Sequence, residues 1–108
     1  MNTKELLAFH AMTTGTALAL MAKKNHDYAG SSGDTPFANF EVVEKLNIAS
    51  TEKGILMRML DKMMRLSTFA EAGQLKVENE SAQDACIDII NYSVLLAAYI
   101  KQKDERRS

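Results

Sequence analysis

One cysteine, one proline and no tryptophan occur in the 108 residues, and the formal charge at pH 7 is −1. Each scarcity closes off a class. With Cys86 as the lone thiol, no disulfide forms within one chain, so a reducing cytoplasm fits, and Cys86 among aliphatics reads as a small hydrophobe. Near-zero charge argues against a protein that coats nucleic acid, whose affinity would rest on a basic surface. There is no Gly-rich phosphate loop, no Ser/His/Asp arrangement and no Cys/His metal spacing. The apolar run from Ala17 to Ala22 is too short to span a bilayer and is followed, not preceded, by Lys23 and Lys24. Neither a membrane span nor a targeting segment is therefore expected. Low-complexity tracts, internal repeats and period-two alternation are missing as well.

What remains is helical patterning over one domain, residues 1–108. The spacing predicts a first helix from Thr3 to about Lys24, with Leu6, Phe9, Thr13, Ala17 and Leu20 on one stripe. A functional loop is expected across residues 23–34, where Lys, Asn, Gly and Ser gather. Thr35 and Pro36 suit the N-cap and first position of a short helix over 37–46. Ser50 or Thr51 starts a third helix that Gly73 ends, its apolar face collecting Ile55, Leu56, Met59, Leu60, Met63, Leu66 and Ala70. Ser81 with Asp84 three residues on makes a capping box for the last helix, and the polar tail 103–108 is expected to fray. The fold class is all-α, a bundle of three long helices and one short helix. The last helix is apolar nearly all round, which three neighbours cannot cover, so a homo-oligomer of two or more copies is expected, a second copy covering part of Ile87–Ile100 or the methionine-rich face of the third helix.

The exception to that apolar circumference is the line Asp84, Asp88 and Asn91 at i, i+4, i+7. Buried carboxylates need cations or a metal. The third helix offers Arg58, Asp61, Lys62 and Arg65 at i, i+3, i+4, i+7. Two facing stripes then make a polar seam that reads in two ways. One is a salt-bridge network in which Asp84 and Asp88 pair with Arg58 and Lys62. The other is a site where Asp61, Asp84 and Asp88, with Glu80, hold Mg²⁺ and activate water, while Lys24, Arg58, Lys62 and Arg65 hold phosphates. Lys23, Lys24 and His26 would join from the loop, and Tyr28, Phe37 or Phe40 could stack on a base. For His26, His10 and the phenylalanines, solvation or core packing is the plainer role.

Several segments resemble a known group. Lys24-Asn25-His26-Asp27-Tyr28, Pro36-Phe37-Ala38-Asn39-Phe40, Gly54 through Lys62, Glu80 through Asp84, and Asp88-Ile89-Ile90-Asn91-Tyr92 are similar to small phage and prophage nucleotide-modification-associated helical proteins. More distantly the chain resembles the MazG-like all-α nucleoside triphosphate pyrophosphohydrolases, which hold Mg²⁺ with ExxE and ExxD motifs. Asp88 matches the last acid of the second motif. Arg58 stands where the first motif has a carboxylate, and the acid before Asp88 is at i−4, Asp84. The resemblance implies a phosphorylated-nucleotide ligand contacted by Lys24, His26, Asp27, Tyr28, Arg58, Lys62, Arg65 and Asn91, in the cytoplasm of an infected or lysogenic bacterium. It leaves two activities open: Mg²⁺-dependent pyrophosphate hydrolysis through Asp61, Asp84 and Asp88, and an anti-defence sponge that sequesters a cyclic or modified nucleotide immune signal.

Overall fold

The computed structural model describes residues 1–28, 36–75 and 81–107, with the side chains of 26–28 outside that description. Among the described residues there are four helices and no strand: α1 (Thr3–Tyr28), α2 (Ala38–Lys45), α3 (Thr51–Ala72) and α4 (Ala82–Arg107). The all-α class and the proportion of three long helices to one short one follow the periodicity.

Local chemistry sets the ends. The Ser50 side chain accepts a hydrogen bond from the Lys53 N–H at 3.2 Å, satisfying one of the free donors at the start of α3. At the other end Gly73 takes φ 76°, a conformation without penalty only for glycine, and its N–H closes on the Phe69 carbonyl. The Ser81–Asp84 capping box forms in both directions: the Asp84 N–H donates to Ser81 Oγ at 3.0 Å, and the Ser81 N–H donates to Asp84 Oδ2 at 3.1 Å. At the C-terminus of α2, Asn47 adopts φ 59°, and the Asn47 and Ile48 N–H groups reach back to Glu44 and Val43, the paired bonds of a Schellman motif.

Two expectations need correcting. α1 continues past Lys24 to Tyr28, because nothing from Lys23 to Tyr28 breaks a helix as proline or glycine would. Lys24 and Asn25 are thus helical rather than in a loop. The N-cap of α2 is Phe37, with no side-chain cap bond, and Thr35 lies outside the described residues. Phe37 instead serves the core, its ring meeting Tyr99 edge-on at 5.3 Å. α4 stays helical to Arg107, with Lys103 bound to Glu52 at 2.8 Å and Lys101 near Glu105. Arg106 and Arg107 also suit the negative end of the helix dipole. The Lys103 hydrogen bond holds the Glu52 carboxyl below its ordinary value, and Glu52 raises Lys103 above its own.

α3 and α4 run antiparallel, since Lys62 meets Asp88 while Glu52 meets Lys103. Ile55, fully buried, packs with Phe37 and Tyr99 at the centre of the core, flanked by Phe40, Met59, Tyr92, Leu95 and Leu96. α2 closes on α3 at Gly54, where an added Cβ would stand 2.9 Å from Val43, and Thr51 donates to Glu44 at 2.8 Å. α1 is pinned to α4 by the buried Asn91, whose Nδ2 donates to the Ala17 carbonyl at 3.0 Å. Beyond these contacts the covering is thin. Within α4 only Ala85, Asn91 and Tyr99 are buried, so the helix that reads as interior from its sequence is enclosed on one side only.

Candidate functional site

The four helices share one cavity of about 440 Å³, within the range of small-molecule sites. α1 brings its last turns, Met21, Lys24 and Asn25, because the helix runs beyond Ala22. The segment entering α2 contributes Pro36, Ala38, Asn39 and Phe40. α3 contributes Arg58, and α4 presents Asp88, Asn91, Tyr92 and Leu95 at i, i+3, i+4, i+7. One wall is aromatic: Phe40 meets Tyr92 edge-on at 6.2 Å, and the Arg58 guanidinium lies over the Phe40 ring, 5.5 Å from its centre.

The charges in the cavity are unequally committed. Asp88, its side chain only 14% exposed, faces Lys62 at 3.1 Å through Oδ2 and Lys24 at 3.7 Å through Oδ1. Lys62 is nearly as enclosed, at 18%, whereas Lys24 is open to water at 46%. Arg58 is exposed, and among the described residues no carboxylate meets it. Among the described residues the cavity thus holds one carboxylate, already shared by two ammonium groups, and one guanidinium whose hydrogen-bonding edge meets no carboxylate.

Of the residues singled out by sequence, Lys24, Arg58, Asp88 and Asn91 meet at this cavity, with Lys62 behind Asp88. The others lie apart or beyond description. Asp61 is 61% exposed and pairs with Arg65 along α3 at 3.4 Å. Asp84 is spent on the capping box, exposed at the start of α4. Glu80 lies outside the described residues; His26, Asp27 and Tyr28 form the last turn of α1, their side chains likewise outside. Sequence reasoning passed over Met21, Asn25, Asn39, Tyr92 and Leu95. Tyr92 and Leu95 had a signal, since they stand four and seven residues after Asp88 and so share its face.

The Mg²⁺ that the resemblance implies needs several oxygen donors beside its waters and phosphates. Among the described residues no three of His, Cys, Asp and Glu gather, and the one carboxylate in the cavity is held by Lys24 and Lys62. The described carboxylates do not by themselves fit such a centre. What the arrangement fits is an anion: two basic side chains at the opening, an aromatic wall, and the amides of Asn25 and Asn39 able to donate and accept. Set against known protein families, curated proteins and solved structures, the chain matches none.

Proposed function

We propose that this protein binds a phosphorylated nucleotide in the cavity between its four helices and does not cleave it. The observation that carries this reading is Arg58, a guanidinium placed over the Phe40 ring at a cavity of nucleotide dimensions, with no carboxylate partner among the described residues. A planar fork can grip phosphate oxygens bidentately, and an aromatic ring beside it narrows the rotamer freedom lost in doing so. Lys24 supplies a second phosphate contact, because its bond to Asp88 is long and open to water. The base would lie along Phe40 and Tyr92, its polar edge within reach of Asn25 and Asn39. Binding without cleavage is the better-supported half of the two activities. Among the described cavity residues Asp88 is the sole candidate base, and two ammonium groups already occupy its oxygens. The likeness to phage nucleotide proteins and a cytoplasmic setting belong to the same proposal.

Calorimetric titration against a panel of linear and cyclic nucleotides, with and without Mg²⁺, tests it, with the recovered ligand analysed for cleavage. The expected result is saturable binding of at least one nucleotide, weakened by salt and unaccompanied by turnover. Absence of binding across the panel defeats the reading. Release of phosphate or pyrophosphate in Mg²⁺ replaces it with the hydrolase.

A further inference from the structure

We propose that the outer side of α3 is the interface with a second copy of this chain, two α3 helices packing antiparallel about a two-fold axis. Leu56, Met57, Leu60, Met63 and Met64 occupy three successive turns of α3 and are between 48% and 61% exposed. Met64 lies nine residues beyond the fully buried Ile55, about 180° round the helix, so this stripe points away from the core that α3 already fills. An unbroken line of five large apolar side chains is a patch that a solvated single chain rarely keeps.

Area identifies the partner class. The chain exposes 8054 Å², whereas a folded monomer of this mass exposes about 6,000 Å². The excess of about 2,000 Å², shared between the α3 stripe and the exposed Leu6, Leu7, Met12 and Leu18 of α1, lies inside the range of roughly 1,000–2,500 Å² per chain that an obligate homodimer buries. A formal charge of −1 sets up no repulsion between copies.

Charge placement argues for self-pairing in one register. Lys53 and Glu71 are both exposed and fall on the same line of α3 as Leu60, about 20° from it. They stand nine residues before and nine after position 62. A two-fold axis across the middle of the helix therefore sets each Lys53 opposite Glu71 of the other copy and stacks Leu60 on Met64. Neither Lys53 nor Glu71 has an ion-pair partner among the described residues. A parallel arrangement would place like charges together at both ends. Joined in this way, two α3–α4 hairpins put apolar side chains on both sides of α3 into a continuous core, as in a four-helix assembly.

Sedimentation equilibrium from 1 to 100 µM, with circular dichroism on each sample, is the test. The wild type is expected at twice the 12.0 kDa chain mass. Leu60→Glu and Met64→Glu should each give the single-chain mass with helix content retained, since both positions are exposed in the lone chain. Lys53→Glu should weaken association at least several-fold, and adding Glu71→Lys to it should restore it. A wild-type monomer throughout, whether or not it floats with phospholipid vesicles, overturns the proposal. So does a dimer that survives both glutamate substitutions. A charge swap that fails to restore what Lys53→Glu loses overturns the antiparallel two-fold.

Discussion

Lys62 and Arg58 sit one helical turn apart on α3, and replacing each by methionine should separate two roles cleanly. Lys62 lies 3.1 Å from Asp88, both side chains being less than a fifth exposed. Taking its charge away leaves an enclosed carboxylate that, among the described residues, faces only Lys24, 3.7 Å off and half in water. A fully buried pair so broken would cost about 3–5 kcal/mol. Because Lys24 remains and the cavity admits water, the expected loss is smaller, about 1–3 kcal/mol, which for a domain of this size is about 4–8 °C of melting temperature per kcal/mol. Arg58 meets no carboxylate among the described residues, and its ring contact is exposed, so Arg58→Met should cost only about 0.5–1 kcal/mol of stability. Nucleotide affinity should move the other way round. Arg58→Met removes a charge-assisted phosphate contact worth about 1.5–3 kcal/mol, a loss of roughly 10- to 150-fold, whereas Lys62→Met acts on the ligand only through Asp88. Thermal melts and calorimetric titrations on both variants, at one fixed protein concentration, supply the comparison. If Arg58→Met melts far lower while its affinity for nucleotide is unchanged, the guanidinium is structural and the cavity is not its purpose.

Three further expectations rest on separate features. Gly54→Ala should destabilise despite the roughly 1 kcal/mol gain in helix propensity, because the new Cβ would stand 2.9 Å from the stiff Val43 side chain; Gly15→Ala, with nothing within 4 Å, should keep the gain, and urea titrations of both give the contrast. Asp84→Ala should lower stability by about 0.5–1 kcal/mol in the same titrations and leave nucleotide affinity untouched, since its carboxylate closes the capping box rather than lining the cavity. The Glu52–Lys103 bond contributes stability in full between pH 4.5 and 10.5, the ordinary values of the two groups. The depressed Glu52 loses it as pH falls through its folded-state pKa, and the raised Lys103 loses it as pH rises through its own. The melting-temperature difference between wild type and Lys103→Met should therefore be flat across neutral pH and shrink towards acid.

The legible features are those fixed by neighbours in sequence. Ser50, Gly73 and the Ser81–Asp84 pair act within a few residues of themselves, so their chemistry could be read directly and the helix count with it. The inward turn of Asp88 and Asn91 was readable too, from an interrupted apolar circumference. What local pattern does not decide is which neighbour each side of a helix meets. Asp84 belongs to the same line as Asp88, yet it lies in the first turn of α4, where its carboxylate accepts the otherwise unsatisfied Ser81 N–H. Arg58 and Lys62 share a stripe, but Lys62 pairs with Asp88 while Arg58 lies over the Phe40 ring of α2. Lys24 reaches the cavity only because α1 extends further than its polar composition suggests.

The apolar residues of α3 serve two sides that one sequence window cannot tell apart. Ile55, Leu56, Met59, Leu60, Met63 and Leu66 look like a single broad face. In the fold, Ile55 is fully buried and Met59 packs against the core, while Leu56, Leu60 and Met63 stand about half in water. A helix meant for one core would have no reason to keep that second row apolar, since lysine or glutamate there would be at least as helical and more soluble. Arg58 leaves α3 on the side where α2 and α1 enclose the cavity, and Leu60, two residues on, is about 200° away. The proposed ligand site and the proposed contact with a second copy are therefore on opposite sides of one helix. Each can be altered without touching the other, which is why a failure of the nucleotide reading and a failure of the dimer would be seen as different results.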